Sequence, residues 1–431
     1  MKKVITYGTF DMFHEGHYNI LKRAREYGDY LIVGVTGESY DVGRGKLSVH
    51  DSLATRIENV KKSGFADEII VEEYLGQKIS DIIKYGVDVF VIGDDWKGKF
   101  DHLGEYCEMV YLERTKGISS TQIRQKTYDK YNIGIIADRC DDNMLISEAS
   151  KVSGFQVTRM FANTAELAEA LAEKYEVEIT RDKTEFYEDI DIVFVETELE
   201  NRYKYIKAAL KAGKHVIADH PFCLDVEKEK ELLRLSEENN VILMHNNKSF
   251  HTQVFIQLLW MVKSGIIGDI VRMECSASRT DKTRKGMLFD LTSSALFMIL
   301  KLLGHEYLSM EKRVIFEGRK PEYISMTFNY PDAEAEINVG NKIRVDNKIE
   351  IIGTKGTIRL GDNWWRADSF EMIGINDIVP QKYIVNYDGN GFKFLIKDIS
   401  IMLGDGRTDY RLLSKEEDVA VTKILQSIVN G

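Results

Sequence analysis

Strand patterns alternate with helical patterns along the first 125 residues, and this alternation limits the possible folds more than any other feature. The chain begins with a β-rich run at 3–7, a loop at 8–11 and a helical pattern over about 18–27. Strands that alternate with helices pair in parallel through right-handed crossovers. Residues 1–125 are therefore predicted to form a small doubly wound, Rossmann-like α/β domain.

The same alternation starts again after the polar stretch 124–130. It predicts a second Rossmann-like α/β domain over 131–248. The strand patterns that carry this prediction lie near 133–136, 192–195, 215–218 and 241–244.

The pattern changes once more from about residue 269, where the strand patterns become longer and alternate apolar with polar residues. Helical patterns remain near 290–303 and 416–428. Such a mixture is typical of an α+β domain with mainly antiparallel strands. We predict this third domain over 249–431.

Charge and cysteine content exclude several classes of protein. The formal net charge of −11 gives no general attraction for nucleic acid or for an anionic membrane. No apolar run approaches the ~20 residues that span a bilayer, so we expect no membrane insertion and a cytoplasmic location. The four cysteines form no CxxC pair, which argues against a disulfide framework and a zinc site.

Two histidines flank a glycine where the first strand pattern gives way to the first helix. His14 and His17 are three residues apart, with Gly16 between them. A helix N-terminus offers free backbone N–H groups and the positive end of the helix dipole. Two imidazoles there suit a phosphate on which negative charge builds during a reaction. The alternative is a loop whose histidines are satisfied by other protein groups.

A second phosphate-binding pattern lies at 114–121, again between a strand and a helix. A basic residue is followed by Gly117, which frees the backbone, and by hydroxyl side chains at the next helix N-terminus. Two such elements at the same end of one sheet could hold one triphosphate. Basic residues between them, such as Lys46 and Lys78, could instead be solvated surface charges.

Residues 1–125 resemble the glycerol-3-phosphate cytidylyltransferases of the HxGH nucleotidyltransferase superfamily. The shared segments are Tyr7-Gly8-Thr9-Phe10-Asp11, His14-Glu15-Gly16-His17, Gly93-Asp94-Asp95-Trp96 and Arg114 to Thr121. The resemblance implies an enzyme that transfers CMP from CTP, with Mg²⁺ on the triphosphate, to a small phosphorylated alcohol, most simply glycerol 3-phosphate. It also implies a role in making a teichoic-acid-like or capsular polymer.

The same resemblance implies roles for individual residues. The catalytic set is His14, His17, Lys46 and Arg114. The nucleotide-binding set is Thr9, Phe10, Asp11, Gly16, Arg56, Asp94, Trp96, Thr115, Gly117, Ile118, Ser119, Ser120 and Thr121. The residues implied to bind the phosphate of the alcohol are Arg44 and Lys78. No metal ligand is expected among the protein side chains. Gly64 and Leu75 depart from the family pattern, where a basic and an aromatic residue are expected.

Residues from 131 onward resemble the glucose–fructose oxidoreductase/inositol dehydrogenase (Gfo/Idh/MocA) family, through the stretches 208–221 and 349–358. The positions that carry redox chemistry in that family are changed. The dinucleotide loop GxGxxG reads Ala137-Asp138-Arg139-Cys140-Asp141-Asp142, the ribose-binding carboxylate falls near Ala162, the lysine of Glu-Lys-Pro is His220, and the later histidine is Ser294.

These changes predict that NAD(P) is an unlikely cofactor and that the second half is a non-catalytic domain for assembly, substrate handling or regulation. Two alternatives stay open: a bifunctional enzyme with retained or repurposed activity, in which His220 could donate a proton, and a scaffold in which both halves only bind ligands. His245 and His251 are expected to be structural, and Trp364 and Trp365 to pack in a core or interface. Both parent families commonly form symmetric oligomers, so a homo-oligomer is expected.

Overall fold

Two units make up the chain in the computed structural model, one formed mostly by residues 1–130 and the other mostly by 131–431. The structure describes all residues except 38–48, 75, 114–129, 141–143, 280–285, 319, 386–388, 411–412 and 430–431. No helix in the described ranges is long and apolar enough to cross a membrane.

A five-stranded parallel sheet forms the centre of the first unit, in the order β3-β2-β1-β4-β5. Its strands are β1 (Lys3–Gly8), β2 (Tyr30–Thr36), β3 (Glu68–Glu72), β4 (Val89–Gly93) and β5 (Glu108–Leu112). The described helices of this unit are α1 (Glu15–Arg25), α2 (Leu53–Lys62) and α3 (Gln77–Tyr85). Both faces of β1 are buried, as expected for a parallel sheet covered by helices on two sides.

The central position of β1 decides where a ligand can bind. Strand β1 pairs in parallel with β2 on one side and with β4 on the other. The chain order reverses there, and the carboxyl ends of strands at such a switch point border a natural crevice. The loop after β1 therefore lies in the middle of the functional edge.

A six-stranded parallel sheet begins the second unit, in the order β11-β10-β9-β6-β7-β8. Its strands are β6 (Tyr131–Ala137), β7 (Phe155–Ala162), β8 (Glu178–Thr180), β9 (Ile192–Glu196), β10 (His215–Ala218) and β11 (Leu243–His245). The described helices are α4 (Met144–Ala149), α5 (Ala165–Lys174), α6 (Lys183–Tyr187), α7 (Leu199–Lys211) and α8 (Val226–Glu238).

An eight-stranded mixed sheet completes the second unit, in the order β13-β14-β15-β12-β16-β17-β18-β19. Its strands are β12 (Ile270–Arg279), β13 (Ser309–Glu317), β14 (Lys320–Asn329), β15 (Glu334–Asn341), β16 (Lys348–Gly353), β17 (Gly356–Leu360), β18 (Ser369–Gly374) and β19 (Gln381–Ile384). The helices of this part are α9 (Gln253–Lys263), α10 (Met287–Leu303), α11 (Phe392–Gly404) and α12 (Lys415–Val429). Helix α10 is buried along most of its length and packs on β12, β14 and β15.

The predicted fold class is confirmed: two parallel Rossmann-like sheets are followed by an α+β sheet domain. Two details differ from the sequence prediction. The pairing of β12 with β15 is parallel, because β13, β14 and helix α10 lie between them in the chain. Helix α11 was not predicted, since its many phenylalanine and isoleucine residues have weak helical propensity, and burial of its apolar face decides its conformation.

Candidate active site

The loop after β1 has a strained backbone that a buried carboxylate holds in place. Phe10 and Met12 have φ angles of 55° and 48°, which side chains other than glycine rarely adopt. Asp11 is buried, and its Oδ1 accepts hydrogen bonds from the backbone N–H groups of His50 and Asp51, at 2.9 and 2.8 Å. Strain of this kind persists only where the surroundings impose it, and it is common at functional sites.

His14 and His17 lie side by side at the N-terminus of α1. His14 is the residue that caps the helix, and its Nδ1 accepts a hydrogen bond of 3.1 Å from the backbone N–H of Gly16. The two imidazole rings stack, with centroids 3.8 Å apart and planes 18° apart. Phe10 packs against the edge of the His17 ring, with centroids 5.4 Å apart.

This geometry fixes what the histidines can do. Because the Nδ1 of His14 accepts a hydrogen bond, the proton of a neutral ring is on Nε2, which can donate to a phosphoryl oxygen. Two imidazolium rings this close would repel each other unless an anion lay against them. The dipole of α1 favours such an anion at the same point. The arrangement suits stabilisation of negative charge on a phosphoryl group.

A fully buried arginine ties together the strand ends that border this loop. The Arg56 guanidinium donates to the backbone carbonyls of Thr9, Thr36 and Asp51, at 3.0, 2.7 and 3.0 Å. The hydroxyl of Thr36 also lies 3.2 Å from the hydroxyl of Thr9. These contacts hold Thr9 at the edge of the site, and the nucleotide-binding role of Arg56 stays a prediction.

A cavity of about 310 Å³ opens at the same edge of the sheet, at the carboxyl ends of β1 to β4. Lys78 lies in it with its ammonium against the Glu72 carboxylate, 4.5 Å from the centre of the Tyr7 ring and 5.3 Å from that of Phe100. Thr9 and Trp96 also line the cavity. Lys78 is thus a nearly buried cation in this cavity, beside a carboxylate and two aromatic rings.

Tyr7 and Glu72 line this cavity, and Asp81 contacts Tyr7 from outside it; none of the three was predicted as a site residue. The Tyr7 hydroxyl donates to Asp81 Oδ2 at 2.7 Å. Burial and then the Asp81 carboxylate raise the pKa of the Tyr7 phenol, which keeps it protonated. Glu72 is the last residue of β3 and follows three apolar residues. A charged residue at the carboxyl end of a parallel strand is the sequence signal that could have identified Glu72 as a site residue.

The structure describes part of the predicted site. Asp94 and Trp96 form a short 3-10 turn directly after β4, and the Trp96 ring, about one-third exposed, lies 5.4 Å from that of Phe100. The predicted residues that lie outside the described ranges are Arg44, Lys46, Arg114, Thr115, Gly117, Ile118, Ser119, Ser120 and Thr121. Gly64 follows α2 with a φ of 76°, a left-handed conformation that ends a helix and gives this glycine a local structural role.

The corresponding edge of the second sheet contains charged side chains. Strand β6 ends at Ala137, and the Asp138 carboxylate accepts hydrogen bonds from the backbone N–H of Glu198 and the side chain of Asn201, at 2.9 and 3.1 Å. Asp138 therefore occupies an N–H group at the start of α7, at the edge where a dinucleotide would need such groups.

The Arg139 guanidinium lies among four carboxylates at this edge. Its nitrogen atoms are 3.7–4.0 Å from oxygen atoms of Asp138, Glu196, Glu198 and Asp219, and its side chain is 16% exposed. In a glycine-rich loop the backbone approaches the pyrophosphate closely because no side chain intervenes. Here the Arg139 side chain and its acidic partners lie at this edge.

His220 stands where the resemblance to the Gfo/Idh/MocA family implies a lysine. Two serine hydroxyl groups of the second unit lie close to its ring nitrogens. His220 Nδ1 lies 2.7 Å from Ser293 Oγ, and His220 Nε2 lies 3.4 Å from Ser294 Oγ. The Asp290 carboxylate accepts a 2.9 Å hydrogen bond from the buried Arg202. A polar cavity of about 1070 Å³ borders His220, Asp290 and Ser294.

The structure also places the other aromatic and histidine residues singled out in the sequence. Trp364 is buried and donates from Nε1 to the Ser276 carbonyl at 3.0 Å, whereas Trp365 lines the large cavity. His245 and His251 are buried, and each is paired with a carboxylate, Asp418 and Asp398 respectively.

Residues 5–126 match the model of the cytidylyltransferase-like family, and 137–247 match that of an oxidoreductase family with an NAD-binding Rossmann fold. Over 125 residues the chain is 54% identical to glycerol-3-phosphate cytidylyltransferase of Bacillus spizizenii. This match covers 29% of the present chain and 96% of that protein. The enzyme of the same name from Bacillus subtilis is 48% identical over 126 residues, 29% of this chain and 97% of that protein.

The second half is similar to oxidoreductases at lower identity. An uncharacterized oxidoreductase of Escherichia coli, YhhX, is 23% identical over 223 residues, which cover 48% of this chain and 64% of that protein. The structure of KijD10, a 3-ketoreductase of Actinomadura kijaniata in complex with NADP and TDP-benzene, superposes with a TM-score of 0.61 at 17% identity, covering 70% of this chain and 98% of that one. This likeness shows the fold of the second half.

Proposed function

Because the chain belongs to the cytidylyltransferase-like family and is a nucleotidyltransferase, we propose that its first unit transfers CMP from CTP to glycerol 3-phosphate. The products are CDP-glycerol and pyrophosphate. The observation that carries this proposal is the stacked His14–His17 pair at the N-terminus of α1, within a domain 54% identical to a glycerol-3-phosphate cytidylyltransferase.

The reaction is a single in-line displacement. A phosphate oxygen of glycerol 3-phosphate attacks the α-phosphorus of CTP and forms the new P–O bond. The bond from the α-phosphorus to the bridging oxygen breaks, and pyrophosphate leaves with the electron pair. The attacking oxygen is already ionised near neutral pH, so the step needs no general base. Catalysis then consists of positioning and of stabilising charge.

His14 and His17 stabilise the charge that builds on the transferred phosphoryl group. His14 donates from Nε2 because its Nδ1 is occupied by the Gly16 N–H. Arg56 keeps Thr9 at the edge of the site through the loop carbonyls. By resemblance to the family, Lys46 and Arg114 complete the catalytic set and the segment 115–121 binds the nucleotide.

Mg²⁺ fits this site as part of the substrate. The described residues of the first unit contain no group of three His, Cys, Asp or Glu side chains close enough to hold a metal ion. Mg²⁺ in nucleotide enzymes is commonly bound by phosphates, water and one or two carboxylates. When bound to CTP it supplies neutralisation of the triphosphate charge.

The acceptor is proposed to bind in the 310 Å³ cavity beside Lys78. A phosphate there would face the Lys78 ammonium and compete with the Glu72 carboxylate for it. The aromatic wall formed by Tyr7, Trp96 and Phe100 leaves room for a small alcohol. Glycerol 3-phosphate fits these dimensions. The likeness to the Bacillus enzymes favours the use of CDP-glycerol in making a surface polymer.

For the second unit we propose that NAD(P)-dependent chemistry has been lost. The support is the Arg139 side chain and its four carboxylates, which lie at the sheet edge where a dinucleotide would bind. Asp138 bonds to the Glu198 N–H at the same place. The fold then serves assembly, substrate handling or regulation.

The test of the transferase proposal is an acceptor panel. The full chain is supplied with Mg²⁺, CTP and one phosphorylated alcohol at a time, among them glycerol 3-phosphate, phosphoethanolamine and ribitol 5-phosphate. Pyrophosphate release is measured, and the CDP product is identified by mass spectrometry. We expect CDP-glycerol as the main product. Preference for another alcohol would overturn the acceptor assignment, and no release with any acceptor would overturn the proposal itself.

A further inference from the structure

Three buried side chains of the second unit meet at a point that the proposed chemistry does not use. Glu229 comes from α8, His245 from the end of β11 and Asp418 from α12. One potential ligand atom from each lies within 4.8 Å of the other two. Their exposed fractions are 0%, 5% and 8%. None of the three lines the 1070 Å³ cavity.

The charge in this cluster is not balanced by the described protein groups. Asp418 Oδ1 lies 3.1 Å from His245 Nε2, and neither Asp418 nor Glu229 has a lysine or arginine partner in the described ranges. Lys301, which could have approached this region, pairs with the neighbouring Glu417 instead. Two carboxylates buried together without a cation are unfavourable.

Glu229 has a buried carboxylate oxygen without a hydrogen bond to the described residues. It is fully buried, and its Oε2 accepts a contact of 3.5 Å from the Cys223 thiol. The Thr422 hydroxyl lies near the carboxylate, but Glu229 Oε1 makes no hydrogen bond of ordinary length in the described ranges. Buried polar atoms are almost always bonded, so an orphan oxygen calls for a partner.

From this geometry we propose that Glu229, His245 and Asp418 bind one divalent transition-metal ion, with Zn²⁺ as the best match. One imidazole nitrogen with carboxylate oxygens is a donor set that Zn²⁺ accepts. Ligand atoms about 2.0–2.1 Å from a tetrahedral Zn²⁺ are roughly 3.3 Å apart, close to the 3.1 Å between His245 Nε2 and Asp418 Oδ1.

The surroundings favour a closed, structural site. The His245 ring is fixed by stacking on Phe222, with centroids 3.7 Å apart and planes 14° apart. The ligands come from three elements that are far apart in the chain, so one ion would cross-link α8, β11 and α12. The sequence does not indicate this site, because the spacing of its three residues matches no metal-binding motif.

The experiment measures Zn²⁺ on the full, untagged chain. The protein is stripped with chelator, equilibrated with Zn²⁺, freed of unbound metal and analysed by mass spectrometry of the metal. The wild type should retain about one more Zn²⁺ per chain than Glu229→Gln and His245→Gln. The matched control is His251→Gln, which changes another buried histidine paired with a carboxylate and should retain wild-type Zn²⁺. Zn²⁺ bound at the first unit would appear equally in all four proteins.

A second measurement does not depend on the variants folding. Co²⁺ replaces Zn²⁺ in the stripped wild type, and tetrahedral coordination by nitrogen and oxygen should give intense visible absorption that Zn²⁺ then displaces. Added Zn²⁺ should also raise the unfolding temperature of the wild type. Absence of the Co²⁺ bands, or equal Zn²⁺ content in the wild type and both ligand variants, would overturn the proposal.

Discussion

The two parallel sheets of this chain have the same kind of edge at the carboxyl ends of their strands, but the side chains at the two edges differ. At the carboxyl end of β1, the helix N-terminus has two stacked imidazoles and a neighbouring cavity. At the end of β6, Asp138 and Arg139 form contacts with protein groups at the corresponding edge. Helix N-termini at such an edge attract anions by virtue of the fold. The comparison teaches that the side chains placed there decide whether the site stays available to a ligand.

The two edges also differ in how their charges are balanced. Among the described residues that line the cavity of the first unit, Lys78 and Glu72 are the charged pair, and a phosphate would have to separate them. In the second unit four carboxylates surround one guanidinium, so an entering pyrophosphate would meet net negative charge. On the proposed functions, the first edge exchanges a protein contact for a substrate contact, whereas the carboxylates of the second edge would oppose an entering pyrophosphate.

The largest effect is expected from His17→Ala in the first unit. Loss of one group that stabilises the transition state should lower CTP turnover by about 100- to 1000-fold. The measurement is pyrophosphate release with glycerol 3-phosphate, together with circular dichroism to show an intact fold. The control is His102→Ala, which removes an exposed histidine of the same unit and should retain activity. Near-normal turnover by a folded His17→Ala protein would contradict the catalytic role proposed for His17.

Nucleotide selection should be the next largest effect. The first unit resembles cytidylyltransferases through Gly93-Asp94-Asp95-Trp96 and residues 114–121. Discrimination by buried hydrogen bonds to a base can exceed about 100-fold. We therefore expect kcat/KM for CTP to exceed that for ATP by at least this factor, measured with the same acceptor. Equal values would contradict the assignment of the nucleotide site.

Lys78→Met is expected to affect the acceptor rather than the nucleotide. A charged contact with phosphate contributes about 1.5–3 kcal/mol, so the KM for glycerol 3-phosphate should rise roughly 10- to 100-fold while that for CTP changes little. Lys84→Met, on the exposed face of the same helix, should change neither value. Equal increases in both KM values would indicate a structural role for the Lys78–Glu72 pair.

Arg139→Ala should act on stability alone. It leaves Asp138, Glu196, Glu198 and Asp219 without their shared cation, and we expect the free energy of unfolding of the second unit to fall by about 1–3 kcal/mol. Tryptophan fluorescence in denaturant reports mainly on this unit, which contains Trp260, Trp364 and Trp365. Arg234→Ala removes an exposed pair with Glu238 and should change stability by less than about 0.5 kcal/mol.

A stability loss in Arg139→Ala with unchanged CMP transfer would support a structural role for this arginine. If the variant instead gained NADP binding, the Arg139 side chain alone would be what prevents binding, and the other residues of a dinucleotide site would still be in place.

The sequence predicted the fold class because the alternation of strands and helices is strong and local. It also placed His14 and His17 correctly at the start of a helix, since a short motif between a strand and a helix determines its own surroundings. Helix α11 was missed because its stability comes from burial against distant parts of the unit, which a local pattern does not contain.

Contacts between distant residues explain what the sequence did not predict at the sites. The sequence did not indicate that Arg56 donates hydrogen bonds to the carbonyls of residues 9, 36 and 51, which lie in three separate segments of the chain. The acids that surround Arg139 lie as far along the chain as Asp219. Glu229, His245 and Asp418 are likewise brought together only by the fold.

The most direct test of the contrast between the two edges is calorimetric titration of the same full-length protein with CTP and, separately, with NADP⁺ and NADPH. We expect saturable binding of CTP in the presence of Mg²⁺, and loss of CTP affinity or turnover in first-unit variants only. We expect no measurable binding of either dinucleotide at ~100 μM, where a working site with about 5 kcal/mol of binding free energy would be substantially occupied. Saturable binding of NADP⁺ or NADPH, or absence of CTP binding, would contradict the account.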